Sequence, residues 1–367
     1  MSDEASRPRT LPSWLLPTPA RRDERAGPPL REFTLRLMRG EDLPREEASA
    51  LLDALLDGAA TDAQIGAALV ALAVKGETVE ELAGLAFAMR RRAVRLRPRH
   101  ARFIDTAGTG SSAAKCFNVS TAAAFVIAGA GLPVAKHGSR AATSKSGSAD
   151  VLGALGVEVT AAPEVSEACL NELGVCFMFA PLYHGATARV AGVRRELGVH
   201  TTFNLLGPLT NPAGAPRQII GVWHEALVEP VARTLVALGT ERAWVVHGLD
   251  GLDEVTLEGR TKVAEASGGA VRVFEVAPED FGLEPSTLEC LRGGDAVENA
   301  RIIRSVLSGE RRDEARALVV ANAAAALYVG GEAQDLREAA RLAGHSIDTG
   351  AALEKLETLA RMTKGGD

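Results

Sequence analysis

Residues 136–148 combine fixed positive charge, hydroxyl groups and glycine within one short stretch, KHGSRAATSKSGS. The cations are Lys136, Arg140 and Lys145, and the hydroxyls belong to Thr143, Ser144, Ser146 and Ser148. Glycine lets a backbone approach a ligand closely, and cations beside hydroxyls suit a polyanion. A solvated surface would explain the charges but not their position between apolar LPVA and apolar ADVLGALG. The stretch therefore predicts a phosphate-binding loop.

A second glycine-rich segment, DTAGTGSS at 105–112, precedes Asn118-Val119-Ser120-Thr121 and a predicted helix. Glycines and the N–H groups at a helix N-terminus favour anions, so this segment is a second candidate for binding phosphate. A glycine-threonine-glycine loop alone also fits a plain tight turn, and the residues leave that alternative open.

Adjacent carboxylates follow the apolar run AWVV in the segment HGLDGLDE, which ends at Asp253 and Glu254. Such a pair is often an exposed turn. Beside a phosphate site it becomes a magnesium site, because Mg²⁺ favours one or two carboxylates together with phosphate oxygens and water.

Two further segments have the composition of a binding site. VRRELG at 193–198 carries two arginines, one of which can grip a carboxylate in a bidentate fork while the other faces solvent. NLLGPLTNP at 204–212 is turn-rich and apolar, which is typical of a structural loop that lines a site.

Composition limits the function classes. The chain has 367 residues, 46% of them hydrophobic, which is enough for two domains. A net charge of −6 and 4% aromatic residues argue against nucleic-acid binding. The four cysteines form no C-x-x-C pair, so we expect reduced thiols in a cytoplasmic protein. Neither a signal peptide nor a membrane span is predicted.

The secondary-structure elements that must position these segments follow two different sequence patterns. Residues 1–30 are proline-rich and charged, which predicts a disordered extension, and 31–97 read as helical. Thr61 and Gly76 are expected to cap one helix, and Thr78 and Glu81 to form a capping box.

From residue 98 onward, strands alternate with helices, which predicts a mostly parallel sheet covered on both faces. The predicted strands are 103–105, 132–136, 156–160, 175–179, 217–222, 243–247 and 271–275. The predicted helices are 120–130, 148–155, 164–173, 225–239, 312–328 and 350–361.

Taken in chain order, the segments described above resemble those of the anthranilate phosphoribosyltransferase family. The segments DFGL, GGDAVENA and NAAAALYVGG share that resemblance. The resemblance implies an α/β fold: a small all-helical domain, 31–97 joined by helices near 164–198, and a larger α/β domain, 98–163 and 199–367. The active site would lie in the hinge cleft, and the protein would be a homodimer paired through the helical domain. The implied reaction transfers a 5-phosphoribosyl group from phosphoribosyl pyrophosphate (PRPP) to the amino group of anthranilate, with Mg²⁺.

The resemblance also implies roles for individual residues. Arg194 would bind the anthranilate carboxylate, and Ser120, Asp253 and Glu254 would hold the metal. The other substrate-binding residues would be Gly108, Thr109, Gly110, Ser111, Ser112, Lys115, Cys116, Asn118, Val119, Thr121, Lys136, His137, Gly138, Ser139, Arg140, Ala141, Ala142, Thr143, Ser144 and Ser148. No acid–base catalyst is implied, because positioning and charge stabilisation suffice.

Three departures from the family pattern leave alternatives open. The family's G-T-G-G-D is here Gly108 to Ser112, its K-H-G-N-R has Ser139 for asparagine, and its Y-H-P ends in Gly185. Ser111, Ser112 and Lys115 could bind the diphosphate in place of the missing aspartate. Alternatively the protein uses another acceptor, acts as a nucleoside phosphorylase, or is a non-catalytic relative that binds nucleic acid.

Overall fold

The computed structural model describes residues 30–110, 114, 116–141, 145–287, 291 and 293–365. Its helices are α1 Leu30–Met38, α2 Arg45–Leu56, α3 Asp62–Lys75, α4 Val79–Arg92, α5 Val119–Gly129, α6 Ser148–Ala154, α7 Pro163–Ala168, α8 Ala180–Tyr183, α9 Ala188–Leu197, α10 Thr202–Leu209, α11 Val228–Ala237, α12 Ala296–Leu307, α13 Glu314–Gly330, α14 Leu336–Asp348 and α15 Ala351–Thr363. Its strands are β1 Ile104–Asp105, β2 Val134–Gly138, β3 Val175–Phe179, β4 Arg217–Gly221, β5 Arg242–Gly248, β6 Thr261–Ser267 and β7 Ala270–Val276.

The chain forms two units. The helical unit contains the residues up to Arg92 together with His184–Leu206, and the α/β unit contains Ala93–Tyr183 and Gly207–Asp367. A helical unit followed by an α/β unit confirms the predicted fold class. The prediction that 164–198 joins the first helices is wrong for 164–183, because that segment packs with the sheet: Ser166 Oγ donates to the carbonyl of Phe177 on β3 at 3.1 Å.

Two helices of the helical unit begin at capping residues that the sequence predicted. Thr61 and Gln64 form a capping box before α3, and Gly76 ends the helix at a φ of 83°. Thr78 and Glu81 form the expected reciprocal hydrogen bonds at 2.8 and 3.2 Å. The buried Glu81 also accepts from Leu43 N at 2.9 Å and pairs with Lys75, so one carboxylate joins three helix ends.

In the described residues, the strands of the α/β unit form one sheet with the order β3-β2-β1-β4-β5-β6-β7. The pairs from β3 to β5 are parallel, while β6 and β7 are antiparallel. Because parallel strands end at the same edge, the segments that follow β1, β2, β4 and β5 emerge together.

Small side chains allow close helix packing, and Ala323, Ala324, Ala325 and Ala326 of α13 are fully buried.

Some predicted elements differ from the structure. Residues 156–160 form turns and coil rather than a strand, because Gly156 has a φ of 95° and Val157 is buried without strand pairing. Strand β6 and helices α10, α12 and α14 were missed, and the prediction of a structural loop at 204–212 is wrong for 204–209, which belong to α10. The predicted helix 164–173 changes after α7 to a π-helical turn, Cys169–Leu173. None of the helices in the described part of the chain is long and apolar enough to cross a membrane.

Candidate active site

The first glycine-rich loop is tied to the end of β4. Thr109 N donates to the carbonyl oxygen of Gly221 at 2.8 Å, and Thr109 Oγ1 accepts from Trp223 N at 3.1 Å. Gly108 forms a parallel bridge with the same Gly221, and Gly110 adopts a φ of 64°. The loop therefore has a defined backbone path, as a site that offers its N–H groups to an anion requires.

Gly221 also determines where the acidic pair lies. A Cβ atom added at Gly221 would collide with the backbone carbonyl of Asp253. A Cβ added at Gly108 would lie 3.7 Å from Asp253 Oδ2. Only glycine at position 221 allows the loop at 108–110 and the acidic pair to lie side by side. Nothing in the local sequence QIIGVW marked this residue.

Lys136 of β2 is buried beneath the first loop. Its Nζ donates to Thr106 O at 2.9 Å, to Thr106 Oγ1 at 3.2 Å and to Ser120 Oγ at 3.3 Å. Burial lowers the pKa of Lys136, and the charges of Asp105 and Glu254 oppose that effect. Burial is the largest of these effects, so the net shift of the Lys136 pKa is downward.

Asp105, at the end of β1, supports this arrangement. Its Oδ1 accepts from His137 N at 3.2 Å, and burial raises the pKa of Asp105 to about 6, against the lowering effects of Asn211 and Lys136. His137 in turn contacts the carbonyl of Gly207 through Nδ1 at 3.1 Å. Asp105 and His137 are therefore part of the support for Lys136.

The donor set around the acidic pair fits Mg²⁺. Ser120 N donates to Glu254 Oε1 at 3.2 Å, which brings the hydroxyl of Ser120 beside the carboxylates. Burial and the adjacent charge of Asp253 raise the pKa of Glu254, and a divalent cation would offset both effects. Within the described residues no three His, Cys, Asp or Glu are grouped to hold a metal. An oxygen pair of this kind suits an ion that takes its other ligands from phosphate and water.

The second phosphate loop is closed by a residue that sequence reasoning missed, Asp150. Its carboxylate accepts from Ala141 N and Gly147 N, both at 3.0 Å, and from Arg140 at 3.1 Å. Burial opposes ionisation, but these donors outweigh it and hold the pKa of Asp150 below its usual value. Arg140 is exposed and lies 5.8 Å from the ring centroid of Phe179.

The rest of this loop follows the end of β2. Ser148 Oγ donates to the carbonyl of Ser139 at 3.3 Å, and Ser139 itself is exposed. A Cβ added at Gly138 would collide with the Ser148 side chain. Glycine at position 138 therefore brings the start and the end of the loop together.

Asn118 links the two phosphate loops. Its amide donates to Ser146 O at 3.2 Å, and its Oδ1 accepts from Ser146 Oγ at 3.3 Å and from Asn299 of α12 at 3.0 Å. Asn299, a second missed residue, also accepts from Gly294 N at 2.8 Å. The structure therefore gives Asn118 a positioning role between the loops.

The remaining predicted residues are placed as follows. Val119 and Thr121 are buried in the first turn of α5, and Cys116 is half-buried just before it. Ser111, Ser112, Lys115, Ala142, Thr143 and Ser144 lie outside the described residues.

Arg194 belongs to α9 of the helical unit. Its guanidinium carbon lies 5.2 Å from the ring centroid of Phe203, and burial lowers its pKa. Its Nε is buried without a hydrogen-bond partner among the described residues. Arg195 is exposed. A half-buried arginine whose Nε is buried and unsatisfied has the property expected of a group that receives a carboxylate.

Comparison with known proteins identifies the class. Residues 31–93 match the helical bundle domain of a glycosyl transferase family, and residues 100–353 match the a/b domain of that family. The two matched segments follow each other along the chain, and together they account for most of it.

Individual relatives narrow the class further. The anthranilate phosphoribosyltransferases of Rubrobacter xylanophilus and Moorella thermoacetica are each 51% identical, over 91% and 88% of this chain and 98% and 95% of theirs. The crystal structure of the Thermus thermophilus enzyme superposes with a TM-score of 0.86 at 41% identity, covering 90% of this chain and 99% of that one. The structure of the Saccharomyces cerevisiae enzyme in complex with PRPP and Mg superposes with a TM-score of 0.84 at 28% identity, covering 92% of this chain and 98% of that one. The chain belongs to the anthranilate phosphoribosyltransferase family.

Proposed function

We propose that this protein transfers the 5-phosphoribosyl group of PRPP to the amino group of anthranilate, in tryptophan biosynthesis. The C1–O bond to the diphosphate breaks, a C1–N bond forms, and the amine gives up one proton to pyrophosphate or water, so that pyrophosphate and N-(5-phosphoribosyl)anthranilate are released. The observation that carries the proposal is the junction at Gly221, which holds the Gly108–Gly110 loop against Asp253 beside the buried Lys136.

The leaving diphosphate explains the residue types at this junction. Negative charge develops on it as the C1–O bond breaks, so preorganised N–H groups and cations stabilise the transition state. The backbone at 108–110 and Lys136 supply them in the described residues. Asp253, Glu254 and Ser120 would hold Mg²⁺, which when bound neutralises part of that charge.

Anthranilate needs positioning more than activation. Its aromatic amine is already a nucleophile, so holding its carboxylate orients the nitrogen toward C1. Arg194 is suited to that task because its Nε is buried without a partner in the described structure and its guanidinium lies over the ring of Phe203. Ser139, where the family pattern has asparagine, would contribute a smaller polar contact.

A fluorescence assay tests the proposal. Anthranilate emission is expected to fall when PRPP and Mg²⁺ are added to the folded protein, and to stay constant when either is omitted. No loss at high protein concentration would contradict the activity. Replacing PRPP with a nucleoside and phosphate tests the phosphorylase alternative, and filter retention of DNA tests the nucleic-acid-binding one.

We also propose a cytoplasmic homodimer that pairs through the helical unit. Large apolar side chains on α1, α3 and α4 are exposed: Met38 (41%), Val70 (39%), Val74 (77%) and Phe87 (52%). Exposed apolar side chains of this size favour a protein interface. The unbridged thiols of the buried Cys169 and Cys176 support a reducing compartment. Light scattering after gel filtration should give twice the mass of the chain, and a monomer would contradict the pairing.

A further inference from the structure

Asn322 is a buried amide in the middle of helix α13. Its Oδ1 accepts from Val255 N at 2.9 Å, and its Nδ2 donates to Val255 O and to Leu318 O, both at 2.9 Å. The side chain therefore pairs with both sides of one residue in the loop after β5, as a neighbouring strand would. Val255 directly follows Glu254, one of the two carboxylates assigned to the metal.

The helix itself gives no reason for asparagine at this position. Asn322 is the one polar residue in the run from Ala317 to Leu327, and its neighbours Ala321 and Ala323 are fully buried. Asparagine is a weaker helix former than alanine, and burying its amide stabilises nothing unless every polar atom is satisfied. Here the side chain forms hydrogen bonds with Val255, in the loop after β5, and with the carbonyl of Leu318. The contact with that loop, and not the packing of the helix, therefore explains an asparagine at this position.

Two independent contacts hold the acidic pair from opposite sides. Gly221 meets the carbonyl of Asp253 on the β4 side, and Asn322 binds Val255 on the α13 side. Asn322 also lines the cavity that contains Glu254, Ser120 and Thr106. The backbone on each side of the pair is thus held by protein contacts alone.

We propose that Asn322 is a positioning residue for the divalent metal: its amide holds the Val255 peptide so that Asp253 and Glu254 are oriented before the metal and diphosphate arrive. The inference rests on the proposed function, since it assigns a partner to the metal site of that reaction. Outer contacts of this kind orient ligands, and their loss lowers metal affinity about 10-fold to 100-fold in other proteins.

Metal binding measured without turnover tests the proposal. Mn²⁺ is titrated into protein with PRPP and without anthranilate, and free Mn²⁺ is read by electron paramagnetic resonance. Asn322→Leu keeps the branching and the number of heavy atoms of the side chain and removes all three hydrogen bonds, so we expect the Mn²⁺ dissociation constant to rise about 10-fold. Asn322→Ala admits water to the loop and should show a smaller rise.

Ser346→Ala is the matched control. Ser346 is buried in the same unit, and its hydroxyl donates to the carbonyl of Val126 at 2.8 Å, away from the acidic pair. It should lower the unfolding midpoint as the Asn322 variants do but leave the Mn²⁺ constant within about twofold. A Leu or Ala variant at 322 that binds Mn²⁺ as the control does would overturn the proposal.

A measurement on the unaltered protein keeps the test independent of whether the variants fold. The amide of Val255 is expected to exchange slowly with solvent before any ligand is added, because its hydrogen bond to Asn322 is already formed. Exchange at an unprotected rate would contradict the inference. Failure of the unaltered protein to bind Mn²⁺ with PRPP would instead count against the proposed function.

Discussion

The backbone N–H of Thr109 donates a hydrogen bond to the carbonyl oxygen of Gly221 at 2.8 Å, and the Cα of that glycine faces the carbonyl of Asp253. One residue without a side chain thus joins the loop assigned to the diphosphate and the pair assigned to the metal. The two groups are far apart in sequence, so their relation depends on the parallel pairing of β1, β4 and β5.

Gly221→Ala should therefore impair the metal site. The added methyl group forces Asp253 away from the Gly108–Gly110 loop, and we expect the Mg²⁺ concentration for half-maximal rate to rise about 10-fold. The measurement is the initial rate against Mg²⁺ at saturating PRPP. Gly153→Ala, in open space at the end of α6, is the control and should leave that concentration unchanged. A Gly221→Ala enzyme with the Mg²⁺ dependence of the control would refute this relation.

Arg194→Gln is expected to weaken anthranilate use while leaving PRPP binding intact. Loss of a charge-assisted contact costs about 1.5–3 kcal/mol, so the KM for anthranilate should rise roughly 10-fold to 100-fold. Arg195→Gln, one residue along the same helix and exposed, serves as the matched control. Equal losses for the two substrates would mean that Arg194 does not bind the carboxylate.

Lys115→Ala tests whether this chain replaces the missing aspartate of the first loop with a cation. Lys115 lies outside the described residues, and the prediction rests on its position in the sequence. If its ammonium contacts the diphosphate, the inhibition constant of pyrophosphate should rise about 10-fold. Lys364→Ala, near the end of the chain, controls for the loss of one positive charge. An unchanged constant would assign Lys115 to the solvated surface.

Asp105 should make stability depend on pH. Burial raises its pKa from 3.8 to about 6 in the folded protein, against the lowering effects of Asn211 and Lys136. A raised pKa favours the protonated form in the fold, so this contribution is fully present below about pH 4 and is lost as pH rises through about 6.

Asp105→Asn removes that titration. The difference in unfolding free energy between the unaltered protein and Asp105→Asn, measured with urea, should fall by about 2 kcal/mol between pH 4 and 7. Titrating groups that do not interact with Asp105 are common to both proteins and cancel in the difference. A difference that does not vary with pH would show that Asp105 keeps an ordinary pKa in the fold.

The helix caps and the fold class could be predicted from the sequence, because both depend on residues that are close together along the chain. The caps at Thr61 and Thr78 depend on residues three positions apart, and both were confirmed. The strand and helix alternation follows from apolar periodicity, which gave the fold class. The pattern failed at 156–160, where the two valines of GVEV pack without forming a strand. It also failed at β6, although β6 and β7 form a hairpin whose turn is the local pair Gly268-Gly269.

The sequence alone determined which residue types were available: cations and hydroxyls in the 136–148 loop, glycines at 108–110 and the carboxylates at Asp253 and Glu254. Tertiary structure decided which of them meet. The local sequence does not show what Gly221, Asn322, Asp150 and Asn299 contact, yet their contacts orient these groups. The physical reason is that hydrogen bonds and close approach act over a few ångströms in space, whereas a motif reports only neighbours along the chain.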